Sequence, residues 1–278
     1  MKAQFKHLAL FLFFIVSVPV FSQAPVQKPD TVTFKSGNLN LKGLLWKPAG
    51  KGPFPAVMYN HGSEARPERF LSKTPFVFLE RGYAFFAPFR RGQGLSKGQG
   101  KYIVEQLDSA SFAGGQAARF ALVIKLHETS QLQDQLAALA FLKSQPAIDA
   151  SRIAIIGISF GGIQTMLMVQ HASDIKAALN FAGAAMMWDK SPEVAAWMQQ
   201  GIANVKVPVY FIQAENDFSI KPSLVLSEEM KKHGKPYAVK IYPARGTTPM
   251  EGHTLIDAAE IWAPDVFPQL DKWIGKKQ

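Results

Sequence analysis

Polar and apolar residues alternate from Thr31 to Lys35 and again from Leu39 through the next few positions toward Trp46. Every second side chain of a strand faces the same side, so both runs read as strands. Ser36-Gly37-Asn38 between them is a hairpin turn. Beyond Pro48–Pro53, a turn, the pattern changes. Continuous apolar runs replace alternation at Pro55–Asn60, Tyr83–Ala87, Arg152–Ile156, Ala177–Phe181, Val207–Ala214 and Tyr237–Tyr242. Such runs fit strands buried on both faces. Between them lie stretches of helical character: Phe70–Arg81, with Pro75 in its first turn and Gly82 after it; Ile163–His171; and Pro222–His233. Leu132, Leu136, Leu139, Ala140 and Leu142 mark one face of a further helix that ends at Ser144-Gln145-Pro146. The tail from Ala258 to Ile274 is also helical, broken by Pro264 and Pro268. Residues 101–131 carry no readable period. Strands thus alternate with helices from about residue 55 onward, which predicts a mostly parallel sheet covered on both faces. Sites in such sheets form at the carboxyl ends of the strands.

Composition adds bounds. The 278 residues suit one α/β domain, and 47% hydrophobic content is enough for a large core. There is no internal repeat. Cysteine is absent, which excludes disulfides, a thiol nucleophile, a lipid anchor on cysteine and a zinc-thiolate or iron–sulfur site. The net charge of +10 favours anionic surfaces or substrates, yet no basic block is dense enough to argue nucleic-acid binding. Lys2 and Lys6, the apolar run Leu8–Val16 and the small residues near Ser22 have the form of a signal peptide over residues 1–22, with a cut after Ala24 as the alternative. An uncleaved anchor is the competing reading, although the run is short for a span. The expectation is an exported protein, periplasmic or secreted, whose main domain covers residues 23–278.

The chemistry centres on Gly157-Ile158-Ser159-Phe160-Gly161, a serine between glycines at the passage from a strand to a helix. This is the nucleophile-elbow pattern, and the glycines answer to a turn too tight for side chains. A serine hydroxyl needs a base, and the base needs an acid. His253, in a loop after the last strand, is the expected base, with Gly252 giving its backbone freedom. His127, His171 and His233 read as surface residues. Asp217, just past the Val207–Ala214 strand, is the expected acid, and Glu215 is the alternative. The oxyanion donors are expected at the backbone N–H of Phe160 and at that of Gly62 or Ser63. His61 reads as a buried histidine that ties down this loop. The glycines of residues 89–100 fit neither the P-loop nor the dinucleotide spacing, and His127-Glu128 with Gln131 fails the zinc motif.

These segments resemble the serine α/β-hydrolase superfamily, within it the dienelactone hydrolase-like and prolyl oligopeptidase-related esterases. The residues that carry the resemblance are Tyr59–Ser63, Arg81–Ala84, Arg90–Ser96, Asp149–Ala154 with the elbow, Glu215–Asp217 and Glu251–His253. The resemblance implies a central, mainly parallel sheet of about eight strands, no cofactor and no metal. It implies hydrolysis of a small-molecule ester, thioester, amide or peptide. It also implies a possible cap at residues 183–204, where Met186, Met187 and Trp188 are candidates to line an acyl pocket. The competing reading has these residues pack the cap's own core. Serine in place of the cysteine of true dienelactone hydrolases argues against their substrate. The chain has no room for the β-propeller of prolyl oligopeptidases. The expected activity is hydrolysis of a carboxylic ester through an acyl-enzyme. A peptidase, an amidase or an acyltransferase on the same triad is the alternative, and a non-catalytic scaffold lies further off.

Overall fold

A computed structural model describes residues 28–275. The expected leader at residues 1–22 lies outside them. The hairpin forms as predicted: β1 (Asp30–Ser36) and β2 (Leu39–Trp46) pair antiparallel around a turn in which Gly37 takes a φ of 57°. The following strands are β3 (Phe54–Asn60), β4 (Ala84–Pro88), β5 (Ile148–Ile158), β6 (Ala177–Phe181), β7 (Val209–Ala214) and β8 (Tyr237–Tyr242). They build one eight-stranded sheet in the order β1-β2-β4-β3-β5-β6-β7-β8. β2 pairs antiparallel with β4, and every later pairing is parallel.

Period-two alternation divides the core between the two faces. On β3, Ala56 and Met58 join one cluster while Val57 and Tyr59 join the other. β5 does the same with Ile153 and Ile155 against Ala154, Ile156 and Ile158. The first face is covered by α2 (Ile103–Leu126), α3 (Leu132–Lys143), α4 (Phe160–His171), α5 (Pro192–Gly201) and α6 (Lys221–Lys232). The second carries α1 (Thr74–Leu79) and α8 (Ala259–Ile274). A short α7 (Pro249–His253) lies between β8 and α8.

Three elements differ from the sequence expectation. The helix predicted over 70–81 is shorter: α1 starts at Thr74, with Pro75 in its first turn, and a separate 3-10 turn covers Pro67–Phe70. α8 runs unbroken through Pro264 and Pro268. Both prolines are exposed, so the carbonyls they leave unpaired are near water. The stripe of Trp262, Val266, Phe267, Leu270 and Ile274 is buried, and that burial outweighs the lost bonds. The unreadable stretch becomes α2 and a π-helical turn, His127–Gln131, that leads into α3. Its period is hidden because Gly114 and Gly115 kink it and because only its ends are buried.

Residues 183–204 hold α5, capped by Ser191 Oγ, which accepts from Val194 N–H. Val194, Met198 and Ile202 belong to the core of the first face, together with Trp188. No described helix is long and apolar enough to cross a membrane.

Candidate active site

Strand β5 ends in the elbow. Ser159 has a φ of 56° and a ψ of −120°, a backbone conformation that L-residues adopt only under strain. The glycines are required by close approach. A Cβ on Gly157 would fall 2.1 Å from the Gly161 carbonyl oxygen, and one on Gly161 would fall 1.8 Å from that of Asn60. The tight turn therefore packs backbone on backbone against the end of β3, and Ser159 is left at the tip.

Asp217 comes from the loop after β7, and His253, expected in a loop, is the last residue of the short helix α7 after β8. His253 Nδ1 stands 2.8 Å from Asp217 Oδ1. The carboxylate is tied down further: Oδ1 accepts from Phe218 N–H at 2.7 Å and Oδ2 from Gln213 Nε2 at 2.7 Å. These bonds fix the acid and leave Nδ1–H of the imidazole as its remaining partner. His253 Nε2 is buried and has no hydrogen-bond partner. Glu215, the alternative acid, is exposed. Gly252 does not act through backbone freedom, because it is helical within α7. Its role is packing: a Cβ there would meet Asn216 Oδ1 at 2.5 Å. Asn216 in turn donates to the carbonyls of Arg245 and Thr248 and accepts from Arg245 N–H. One asparagine thus joins the loop that carries Asp217 to the start of the helix that carries His253.

The loop after β3 is held from below. His61 is buried, and its Nε2 accepts from Arg90 N–H at 3.4 Å. The proton therefore sits on Nδ1, which donates to the Gly62 carbonyl at 3.0 Å. Burial, and then the Arg90 charge, lower the His61 pKa well below the usual histidine range, so the ring stays neutral. Arg90 Nη2 reaches the same carbonyl at 2.5 Å, and Gln93 Nε2 at 3.5 Å. Desolvation lowers the Arg90 pKa to about 10. Tyr102 Oη donates to the Ser63 carbonyl at 2.5 Å. A trans peptide carries its N–H opposite its C=O, so the pinned Gly62 carbonyl turns Ser63 N–H to the other side. The backbone N–H of Gly62 instead lies by the Glu64 carboxylate.

Ser159 opens onto two cavities. One, of about 400 Å³, is lined by Ser159, His253, Ser63, Tyr59, Glu64 and Asp257 among others. The second, of about 260 Å³, is lined by Ser159, Phe160, Ser63, Met187, Phe120 and Arg119 among others. Met186 lines both. Trp188 lines neither, because it is buried in the core beside Val194 and Met198. Helix α2, silent in the sequence, supplies a wall of the smaller cavity through Val104, Gln116, Arg119, Phe120 and Val123. His127 corrects the expectation of a surface residue. It is buried, its ring centroid 5.1 Å from that of Phe160, and desolvation lowers its pKa to about 4. His171 and His233 are exposed as expected. No group of three or more metal-ligating side chains occurs among the described residues. Sequence reasoning did not single out Glu64, Phe70 or Met250, which line the larger cavity together with Asp257. The signal for Glu64 was its place just after the His61-Gly62-Ser63 loop.

The profile of the dienelactone hydrolase family matches residues 41–247, which span the sheet from β2 to beyond β8 and include the elbow. The chain belongs to the dienelactone hydrolase family. It is accordingly a hydrolase. A Bacillus subtilis protein described as an uncharacterized peptidase, YtmA, is 26% identical over 76% of this chain and 83% of its own. Dipeptidyl-peptidase 5 of Porphyromonas gingivalis is 23% identical over 80% of this chain, which spans only 34% of that enzyme. In three dimensions the chain is similar to a putative dienelactone hydrolase from Klebsiella pneumoniae, with a TM-score of 0.64 and 18% identity over 90% of this chain and 98% of that one. It is similar to the acylaminoacyl peptidase of Pyrococcus horikoshii, with a TM-score of 0.65 and 19% identity over 91% of this chain and 42% of that one. These structural likenesses show the shared α/β-hydrolase fold. Within the dienelactone hydrolase family this chain is one with serine at the elbow and no cysteine anywhere.

Proposed function

We propose that this protein hydrolyses a carboxylic ester through an acyl-enzyme on Ser159, with His253 as base and acid and Asp217 as the residue that orients it. The observation that carries this reading is the buried His253–Asp217 pair, 2.8 Å apart, whose free Nε2 borders the cavity that Ser159 lines. As Ser159 Oγ bonds to the carbonyl carbon, His253 Nε2 takes its proton. The imidazolium is stabilised by Asp217. The negative charge that develops on the carbonyl oxygen is met by the N–H of Phe160 and, of the two candidates in the β3 loop, by that of Ser63. The pinned Gly62 carbonyl favours Ser63. Each such donor contributes about 3 kcal/mol in the transition state. His253 then protonates the departing alcohol oxygen as the carbon–oxygen bond breaks. Water repeats the sequence in reverse: His253 takes its proton, the acid is released and Ser159 regains its hydrogen.

The test is hydrolysis of short and medium aryl esters by wild type and Ser159→Ala. Loss of essentially all activity in the variant is expected, and equal activity sinks the assignment. The peptidase names of two relatives support a second reading, amide cleavage on the same groups. Aminoacyl anilides in the same assay separate the two. Export also belongs to this proposal. Its support is the basic, then apolar, then small-residue order of residues 1–22. Cell fractionation with N-terminal sequencing tests it, and a mature chain that still begins at Met1 in the cytoplasm refutes it.

A further inference from the structure

The two cavities at Ser159 differ in what borders them. His253 lines the larger cavity and not the smaller one. A leaving group must lie where His253 Nε2 can protonate it, so the larger cavity takes the leaving group and the smaller one the acyl chain. The walls of the larger cavity are mostly apolar: Tyr59, Phe70, Ile158, Met186, Met250 and Ile256. Two carboxylates, Glu64 and Asp257, interrupt them, and no lysine or arginine lines the cavity. In a chain of net charge +10, this is a local reversal of sign at the centre of the chemistry.

Neither carboxylate is in an ion pair among the described residues. The charge of Arg90 reaches Glu64 and those of Arg245 and Lys73 reach Asp257, but neither arginine forms an ion pair with them and both spend their hydrogen bonds on other groups. Arg90 is bonded to the Gly62 carbonyl and to Gln93. Arg245 is bonded to the Glu251 carbonyl and to Thr254 Oγ1. Lys73 acts on Asp257 only at a distance and is exposed. Glu64 and Asp257 also feel each other's charge. The backbone N–H groups of Glu64 and Gly62 also hold the Glu64 carboxylate, yet desolvation outweighs these groups and the cations and raises the pKa of both acids. A positive ligand would offset this desolvation. His253 Nε2 is buried and unpartnered, and His253 lines the same cavity, so a ligand's leaving-group oxygen has a partner there. Tyr59 and Phe70 add aromatic rings to its wall, and a cation packs well on such rings.

We propose that the larger cavity selects a leaving group that carries positive charge, an ammonium-bearing alcohol, with Glu64 and Asp257 as its counter-charges. This rests on the esterase reading above and adds the substrate class. The acyl part is left to the smaller cavity, where Arg119 is paired with Asp108 and Met187 and Phe120 supply apolar wall.

The test compares butyrylcholine with 3,3-dimethylbutyl butyrate, two esters of one acid whose alcohols differ in charge and hardly in shape. Acid release gives kcat/KM for each, divided by the ester's own alkaline hydrolysis rate. Wild type is expected to prefer the cation by about tenfold or more, and the Glu64→Gln, Asp257→Asn double variant to bring the ratio to near one whatever its absolute rate. A wild-type ratio near one, or a preference that survives the double change, overturns the proposal. Calorimetric titration of Ser159→Ala with choline and with 3,3-dimethylbutan-1-ol keeps the two readings apart. If neither ester is cleaved, the aryl-ester assay decides the esterase reading and the titration decides the charge proposal. The charge proposal then stands if choline binds the tighter and loses that advantage in the triple variant, and falls if the two bind alike.

Discussion

Asn216 Nδ2 donates to the Thr248 carbonyl at 3.0 Å, and through that bond the loop of Asp217 is fastened to the N-cap of the helix that ends in His253. Asp217 and His253 are therefore positioned by a residue that lines neither cavity at Ser159. Asn216→Ala removes this bond with those to Arg245, and the pair is expected to loosen. A loss of about 0.5–1.5 kcal/mol in stability is predicted, because the bonds removed are part-buried or exposed. The drop in kcat should exceed the change in KM. Urea unfolding and steady-state kinetics on the same preparations check both.

Asp217→Asn keeps the shape of the side chain and removes its charge. Nδ1–H then faces an amide, the imidazolium loses its support, and kcat is expected to fall by about 10⁴ with KM little changed. An unchanged kcat would assign the acid elsewhere.

The orientation of the 62–63 peptide gives a paired prediction. Ser63→Ala keeps the backbone N–H and should retain most activity. Ser63→Pro deletes that donor and should lower kcat by about 10²–10³. Arg90 is a positioning residue here, because it holds the Gly62 carbonyl rather than substrate. Arg90→Met should lower kcat more than it raises KM, and Arg90→Lys should restore part of the loss. Equal effects of Ser63→Ala and Ser63→Pro would show that the N–H is not used.

Stability should fall with acid through two buried neutral histidines. His127 has a folded pKa of about 4 against an ordinary value of 6.5, with burial as the main cause. Between these values the unfolded chain binds a proton that the folded chain does not. The contribution is therefore complete above the ordinary value and is lost as pH falls toward the folded one, at up to about 1.4 kcal/mol per unit. His61 acts in the same direction. Urea midpoints from pH 7 to pH 4 should decline, and His127→Gln should flatten part of the slope.

Asp134 is buried and receives Arg91 through Nε at 2.9 Å and Nη2 at 2.6 Å, with Ser36 Oγ at 2.6 Å. The cluster joins the loop after β4 to α3 and to the end of β1. Asp134→Ala leaves the arginine without its partner and is expected to cost about 3–5 kcal/mol, read as a shift in the urea midpoint.

The sequence by itself determined the order of strands and helices, because burial on two faces imposes continuous apolar runs and burial on one face imposes alternation. Strands at β1, β2 and β3 fall where these patterns put them. The candidates Ser159, Asp217 and His253 stood out by a glycine neighbour or a strand end, and the fold brings Asp217 against His253 beside the cavity that Ser159 lines. Local signals failed where long-range packing decides. The prolines of α8 read as breaks, yet the buried stripe around Trp262 and Phe267 holds the helix together. His127 lacked any apolar period around it, and only the fold shows it packed behind Phe160. Trp188 was drawn toward a pocket by its chemistry and is claimed instead by the core. The choice between Gly62 and Ser63 rested on which way one peptide plane faces, and Arg90, from the loop after β4, sets that plane. Glu64 and Asp257 lie far apart in the chain and meet only across a cavity. Spacing and period carry information about neighbours along the backbone. The charge of a pocket is a sum over residues that only the closed sheet brings together.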